Sequence, residues 1–240
     1  MSDWHSDPDL VSREYASLDR HEGRRCDRTA WLCGIEEYVT LLGAVAEARP
    51  HRVLDAGCGV GYWASLVAAP EVVGVDQSEA AVAAARARGL KAFRATLDDL
   101  PFDDESFDLV MCNWVLYHLR DLDRGLRELT RVLRPGGHFV GGYTLPDHLD
   151  ELWSVVGRRP TTDPASDAFD GHNGARYLAR YFQSVERRDT SGKVMWENRE
   201  AMSTYFEAFG ELLGELKVPA GPYPFYATRR NCVFVAKKAL

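Results

Sequence analysis

The pattern of apolar positions changes near residue 50. From Asp9 to Ala48, apolar residues recur at helical spacing, and a helix over Arg28–Ala48 is predicted to carry them on one broad stripe. Pro50 ends this helix because its ring cannot continue the hydrogen-bond pattern. Residues 1–49 are therefore predicted to form an N-terminal helical cap.

Short runs of Val and Leu then alternate with helical segments. The runs are HRVLDA, EVVGVD, KAFRAT, FDLVMC and GHFVGGY, and the helical segments are 63–69, 79–88 and 122–133. Ser78 and Gly89 are typical N-cap and C′ residues for the second of these helices. Strands that alternate with helices predict parallel βαβ units and a doubly wound α/β fold.

The pattern changes again after Tyr143. Residues 145–183 mix helical stretches with Pro, Gly and aromatic residues, which predicts an inserted lid after the fifth strand. Strand-like runs at 184–196 and 223–237, with a helix at 199–216 between them, complete a mostly parallel, seven-stranded sheet. We therefore predict a single domain over 1–240, with a cap at 1–49, a core at 50–144, a lid at 145–183 and the last strands and helix at 184–240.

Composition and charge narrow the classes of partner. Apolar residues make up 45% and charged residues 27%, as in an ordinary globular chain. A net charge of −7 argues against nucleic acid and anionic membranes as partners. The five cysteines form no C-x-x-C pair, which predicts reduced thiols and no zinc site. The start MSDWHSDPDL lacks a leader pattern and no run is long enough to span a membrane, so we expect a cytoplasmic monomer or homodimer.

The strongest chemical signal is a glycine loop after the first predicted strand. The run VLDAGCGVG places Gly57, Gly59 and Gly61 where a Cβ would collide with a ligand that approaches the backbone. A helix predicted to begin near Gly61 would direct free N–H groups at that ligand. Asp76 ends the neighbouring strand, where its carboxylate can accept hydrogen bonds from a ribose diol. The two features together predict a nucleoside site.

The spacing of the glycines favours one kind of nucleoside. Loops that bind NAD read G-x-G-x-x-G and hold a pyrophosphate at the helix end. This chain has G-x-G-x-G, with Asp55 directly at the strand end. That arrangement suits a ligand with an amino-acid tail, because N–H groups can hold its carboxylate and nearby acceptors its ammonium group.

The combination of VLDAGCGVG, VVGVD, DDLPFDDESFDLV and LRPGG resembles the class I S-adenosylmethionine-dependent methyltransferases, specifically the type 11/25-like branch that acts on small molecules. The resemblance is close over about 52–143 and loose elsewhere. It implies a Rossmann-like fold and S-adenosylmethionine as the cofactor.

The resemblance also implies which residues bind the cofactor. Gly57 and Gly59 approach the methionine moiety, Asp76 holds the ribose, and Asn113 lies beside the sulfonium and ammonium groups. Relatives usually have Asp where this chain has Thr96, so recognition of adenine N6 stays open between Thr96 and Asp98. Tyr15 resembles an N-terminal tyrosine that folds over the cofactor in relatives, and a core aromatic is the alternative. The full set of cofactor candidates is Tyr15, Asp55, Ala56, Gly57, Cys58, Gly59, Gly61, Asp76, Gln77, Thr96, Leu97, Asp98 and Asn113.

Methyl transfer from a sulfonium is an in-line displacement, for which the protein supplies alignment. A hydroxyl acceptor needs a base, whereas an amine with a free lone pair does not. The chain has no H-x-x-x-H pair and no acidic cluster with metal-ligand spacing, so we expect no metal. Relatives often carry a His pair at the position of Tyr117-His118. His118 is thus a candidate base or a hydrogen-bond partner of the substrate, with stabilisation of the loop as the alternative. Tyr117 is also a catalytic candidate, although a tyrosine at this position is more often a packing residue.

The substrate side is expected to include Tyr143, Trp153 and His172, although His172-Asn173-Gly174 is also a typical turn. The predicted function is methyl transfer to nitrogen or oxygen of a small metabolite, and the Ala-, Arg- and Gly-rich usage suggests bacterial secondary metabolism. An RNA or protein methyltransferase is disfavoured because no basic stripe with interleaved aromatics occurs. A catalytically silent nucleoside-binding protein stays open, and the loop spacing disfavours an NAD-dependent reductase.

Overall fold

The computed structural model describes residues 35–157, 169–207 and 217–240. Its strands confirm the seven predicted ones: β1 (Arg52–Ala56), β2 (Glu71–Asp76), β3 (Lys91–Arg94), β4 (Phe107–Met111), β5 (Leu133–Thr144), β6 (Ser184–Trp196) and β7 (Phe225–Lys237). The helices are α1 (Ile35–Ala48), α2 (Glu79–Ala87), α3 (Leu122–Val132), α4 (Asp150–Val156), α5 (Gly174–Leu178) and α6 (Arg199–Glu207). The first predicted helix, Tyr15 and the end of the helix predicted over 199–216 lie outside the described residues.

The strands form one mixed sheet in the order β3-β2-β1-β4-β5-β7-β6. Strands β1 to β5 pair in parallel, and β7 runs antiparallel between β5 and β6. Strand β1 lies inside the sheet between β2 and β4 and is covered on both faces, which explains why its sequence is largely apolar. The strand order reverses between β1 and β4, so a crevice opens there at the carboxyl ends of the strands.

Helices cover both faces of the sheet. On one face Leu41 and Val45 of α1 pack against Met111, Val140 and Val233. On the other face, α3 buries an apolar stripe against β4 and β5. The described part of the predicted cap, α1, is therefore a layer of the core, because its apolar stripe meets the Val-rich face of the sheet.

The described parts of the predicted lid also pack into the protein. Helix α4 lies against β7 and carries Trp153 into a cluster with Trp196 and Phe206. Phe169 and Leu178 belong to the main core. Residues 158–168 lie outside the described ranges, so closure of this segment over a substrate stays a prediction.

The helix predicted over 63–69, and with it a helix start near Gly61, is wrong. The structure has only a short 3₁₀ turn at Ala64–Leu66. The backbone is left-handed at all three loop glycines, with φ of 80° at Gly57, 52° at Gly59 and 79° at Gly61, which an α-helix cannot include. The turn then ends at Val67, whose backbone is already extended with φ of −84° and ψ of 123°. Helix α2, by contrast, confirms its predicted N-cap, since Ser78 Oγ accepts a hydrogen bond from Ala81 N at 3.3 Å.

Candidate functional site

The glycine loop is tied to the end of β2. The N–H groups of Gly57 and Cys58 both donate to the carbonyl of Val75, at 2.8 and 2.9 Å. A Cβ at Gly57 would collide with the side chain of Val115 after β4. Gly57 is therefore required for packing between β1 and β4, in addition to any ligand that approaches it.

Asp76 holds the same loop from the side. Its Oδ2 accepts a hydrogen bond from Gly59 N at 2.9 Å, and its Oδ1 accepts one from Ser78 N at 2.9 Å. Burial raises the pKa of Asp76, and these hydrogen bonds oppose that shift. A carboxylate has about four acceptor positions, so Asp76 can still accept hydrogen bonds from a vicinal diol.

These contacts correct one expectation about the loop. The N–H groups of Gly57, Cys58 and Gly59 already have partners within the protein, and Gly61 N donates to Cys58 O at 2.9 Å. They are therefore not free donors for the carboxylate of an amino-acid tail. The loop contributes its shape, since it lets a ligand lie close to the backbone at the end of β1, where Asp55 and Ala56 are buried.

The segment 96–98 lies beside Asp76, because Ala95 N donates to the carbonyl of Asp76 at 3.1 Å. Thr96 is exposed, Leu97 is buried and Asp98 is half-buried. Gln77, next to Asp76, is exposed. The structure thus brings the predicted ribose and adenine residues together, and the choice between Thr96 and Asp98 for adenine N6 stays open.

A network that the sequence reading missed anchors this segment. Arg131 donates to the carbonyls of Phe102 at 2.7 Å and Leu100 at 3.1 Å, and it pairs with Glu128 at 2.8 Å. Glu128 in turn accepts a hydrogen bond from Leu100 N at 2.9 Å. The mutual pairing raises the pKa of Arg131 and lowers that of Glu128. The only sequence signal was an (i, i+3) charge pair on α3.

Asn113, after β4, offers a donor to the site. Its Oδ1 accepts a hydrogen bond from Gly142 N at 2.9 Å, whereas its buried Nδ2 has no hydrogen-bond partner among the described residues. A buried donor without an acceptor is uncommon in proteins and indicates a ligand or water. Nδ2 can therefore donate to an acceptor atom of a ligand, and contact of Asn113 with the ammonium group stays a prediction.

Tyr117 and His118 lie in a short 3₁₀ turn, Leu116–His118, after β4. Both side chains are half-buried and their ring centroids are 4.4 Å apart. His118 N donates to the carbonyl of Val115 at 2.8 Å, which fixes the turn. The position is compatible with a substrate-facing histidine, and both of its predicted roles stay open.

The structure gives the three expected substrate contacts other roles. Tyr143 is fully buried and its hydroxyl donates to the carbonyl of Cys112 at 2.7 Å. Trp153 is buried in the α4 cluster, stacked on Phe206. His172 is exposed in a turn that its N–H closes onto Asp170 Oδ1 at 2.7 Å. Tyr143 and Trp153 pack against residues that are distant in sequence, and His172 closes a local turn, so contact of these residues with a substrate stays a prediction.

A second feature that the sequence reading missed is an aromatic cluster beside the glycine loop. Trp63 stacks on Trp114 with ring centroids 5.8 Å apart, and Tyr38 of α1 lies 4.7 Å from Trp63. Trp114 is held in the left-handed region with φ of 55°, a strained conformation that often marks a functional site. All three rings are half-buried. Nothing in the local pattern after β4 indicated that conformation.

The thiols near the site are poor nucleophiles. Burial raises the pKa of Cys58, and it raises that of Cys112 to about 12, so neither thiol is a ready nucleophile. Within 35–157, 169–207 and 217–240, no three His, Cys, Asp or Glu side chains form a group that could hold a metal. The helices in those ranges are too short or too polar to cross a membrane.

Residues 54–141, which contain the glycine loop, Asp76 and Asn113, match the family model of a methyltransferase domain. The chain therefore carries a methyltransferase domain over residues 54–141. A relative in Mycolicibacterium smegmatis is described as a probable S-adenosylmethionine-dependent methyltransferase; it is 46% identical over 92 residues, which cover 37% of this chain and 36% of that protein. Asp76 beside the loop, and the buried Nδ2 of Asn113, fit a ligand with a ribose and polar acceptor atoms.

Three proteins illustrate what the methyltransferase domain is similar to. An uncharacterised methyltransferase of Bacillus subtilis, YcgJ, is 35% identical over 147 residues, which cover 57% of this chain and 52% of that protein. The structure of YcgJ covers 84% of this chain and 99% of its own, with a TM-score of 0.57 and 20% identity, which shows the fold. A demethylmenaquinone methyltransferase of Clavibacter sepedonicus is 38% identical over 104 residues, 40% of this chain and 42% of that protein.

The third is the N-methyltransferase NodS of Bradyrhizobium japonicum, solved with S-adenosylhomocysteine. It has a TM-score of 0.54 and 16% identity, and the match covers 85% of this chain and 86% of NodS. The chain spans about half the length, or less, of the curated relatives named here.

Proposed function

We propose that this chain transfers the methyl group of S-adenosylmethionine to a nitrogen or oxygen of a small molecule. The observation that carries the proposal is the position of Asp76. Its carboxylate joins the glycine loop at the carboxyl edge of the sheet, next to the reversal of strand order, where α/β proteins bind nucleosides. The demethylmenaquinone methyltransferase among the relatives, which by its name acts on a small molecule, supports the substrate class.

The chain's own residues would do most of the positioning. When bound, the cofactor supplies an electrophilic methyl group on sulfur. Asp76 would accept hydrogen bonds from the ribose hydroxyls, Leu97 and its neighbours would cover the adenine, and Asn113 Nδ2 would donate to an acceptor atom of the amino-acid tail. The turn at 116–118 and the half-buried rings of Trp63 and Trp114 exclude water from the acceptor side. Alignment in a dry site is the main catalytic contribution that such a displacement needs.

The experiment that tests the proposal is a thermal-shift and calorimetry comparison of S-adenosylmethionine, S-adenosylhomocysteine, NADH and NADPH. The two adenosyl sulfur compounds are expected to bind and to raise the melting temperature. A ligand present at a hundred times its Kd stabilises the folded state by about 2.7 kcal/mol. A shift with NADH or NADPH alone would refute the proposal. Binding of S-adenosylmethionine without methyl transfer to any acceptor in a metabolite screen would favour the silent nucleoside-binding alternative.

The substitution His118→Asn separates the two kinds of acceptor atom. A hydroxyl must lose its proton as the new bond forms, so loss of a base is expected to lower kcat by about a hundredfold or more. An amine can react as the free base, and we then expect a loss of about tenfold or less. We favour nitrogen, because an amine acceptor requires no strong base in the site.

The measurement is the pH–rate profile on a verified acceptor. For an oxygen acceptor, the acidic limb should disappear in the variant, whereas for a nitrogen acceptor it should remain, because it belongs to the substrate amine. His172→Asn is the matched control, since His172 is exposed in a turn. Unchanged kinetics for His118→Asn would show that His118 only stabilises the loop.

A further inference from the structure

We propose that the acceptor is an aromatic molecule with an N–H or O–H group, and that Glu37 accepts a hydrogen bond from that group in a subsite between α1 and the ends of β5 and β7. The inference rests on the proposed function and names the class of its substrate. It is carried by a buried polar cluster that the cofactor half of the site does not use.

Glu37 is the centre of this cluster. Its side chain is 5% exposed, and Oε2 accepts a hydrogen bond from Arg229 Nη2 at 2.8 Å. Burial raises the pKa of Glu37, and the guanidinium of Arg229 and the side chain of Asn231, which is 2% exposed, oppose that shift. The other oxygen, Oε1, is buried and has no hydrogen-bond partner among the described residues. A buried carboxylate oxygen without a donor indicates a ligand that supplies one.

A purely structural role would not require this burial. Helix α1 is already fastened to β6 at the surface, where Glu47 pairs with Arg188 at 2.8 Å and Glu36 accepts from Ser191 N at 3.2 Å. A further pair in the interior adds a desolvation penalty that its attraction does not reliably recover. The buried Glu37–Arg229 pair is thus an unfavourable means of holding the helix, because of its desolvation cost. It is suited to holding an acceptor atom in a fixed position away from water.

The sheet register places this acceptor next to the aromatic cluster. Asn231 pairs with Thr144 at the end of β5, and Val233 pairs with Gly142. Side chains alternate along a strand, so Asn231 lies on the same face as Val233, which packs against α1. Trp114 covers Gly142 on this face: a Cβ built at Gly142 would lie 3.0 Å from Trp114 Cη2. Trp114 directly follows Asn113, so the acceptor oxygen and the proposed cofactor half adjoin the same short segment.

The aromatic rings and the Glu37–Arg229 pair would contact different parts of one acceptor molecule. The half-buried rings of Trp63, Trp114 and Tyr38 offer planar apolar surface, which favours an aromatic partner. Arg229 balances the charge of Glu37, and desolvation with the nearby guanidinium lowers the pKa of His148 to about 4, so that histidine is neutral at pH 7. A nearly neutral site with a free acceptor oxygen suits an amine or a hydroxyl and disfavours a carboxylate.

The test measures, by calorimetry, the binding of three probes of similar shape to the chain saturated with S-adenosylhomocysteine. The probes are phenethylamine, 2-phenylethanol and phenylacetate. At least one of the donor-bearing probes is expected to bind, and phenylacetate at least tenfold more weakly. Comparison of phenethylamine with 2-phenylethanol shows whether an N–H or an O–H group is preferred. Glu37→Gln keeps a carbonyl for Arg229 but can present an amide N–H₂ in place of Oε1, so it should weaken the donor-bearing probes at least tenfold and leave S-adenosylhomocysteine affinity within twofold.

Glu47→Gln is the matched control, because it removes a carboxylate from the same helix at an exposed ion pair. Failure of both donor-bearing probes to bind, equal binding of phenylacetate, or equal effects of Glu37→Gln and Glu47→Gln would overturn the inference. The proposed function would survive each of these results if S-adenosylhomocysteine still bound. If Glu37→Gln lowers the melting temperature, Trp63→Leu provides a second variant, and unchanged probe affinity there would also overturn the inference.

Discussion

The substitution Asp76→Ala is expected to weaken S-adenosylhomocysteine binding by tenfold to more than a hundredfold. Removing the carboxylate leaves a bound ribose diol without its acceptor, a loss of about 1.5–3 kcal/mol. It also frees Gly59 N and Ser78 N, which Asp76 holds at 2.9 Å, so the glycine loop loses its lateral support. Isothermal calorimetry on the folded variant measures the effect.

Asp76→Asn provides the matched comparison. It keeps one carbonyl acceptor but turns an N–H₂ group towards either a backbone N–H or the ribose, so its affinity should fall between those of the wild type and Asp76→Ala. Glu79→Ala, a charge removal at the exposed start of α2, should leave the affinity unchanged. Unchanged affinity in Asp76→Ala would restrict Asp76 to a structural role and remove the observation that carries the proposed function.

The second large effect is expected from Arg131→Met, which should lower the free energy of unfolding by about 2–4 kcal/mol. The substitution keeps the apolar stem but removes the guanidinium donors to the carbonyls of Leu100 and Phe102, and it leaves the half-buried Glu128 without its cationic partner. Hydrogen bonds to charged groups contribute about 1.5–3 kcal/mol each, and their sum is not additive. Urea unfolding measures the loss.

The same variant should weaken S-adenosylhomocysteine binding, because the 96–102 segment loses its anchor on α3. Arg127→Met is the control, since Arg127 is exposed on the same helix and a surface substitution of this kind changes stability by about 0.5 kcal/mol or less. Equal losses in the two variants would mean that Arg131 contributes as a helix surface residue and not as the anchor of the segment.

Much of the fold follows from local pattern. The inner strands β1 and β4 read as short apolar runs because both of their faces are covered, and Ser78 and Gly89 mark the ends of α2 because caps are chosen by neighbouring backbone groups. The meeting of the glycine loop with Asp76 was also predictable, since the carboxyl ends of adjacent parallel strands share one edge. These features need no knowledge of distant partners.

Tertiary structure decided the parts of the site whose partners are far apart in sequence. The side chain of Val115 leaves no room for a Cβ at Gly57, and two N–H groups of the loop donate to the carbonyl of Val75 in β2. The hydroxyl of Tyr143 donates to the carbonyl of Cys112. Glu37 and Arg229 are 192 residues apart, and only the insertion of β7 between β5 and β6 brings them together. The sequence by itself determined the pairing of the glycine loop with Asp76, from which the cofactor class is proposed, because that chemistry lies in contiguous motifs. The acceptor side depended on packing, because burial and hydrogen-bond partners arise only when the sheet and its helices assemble.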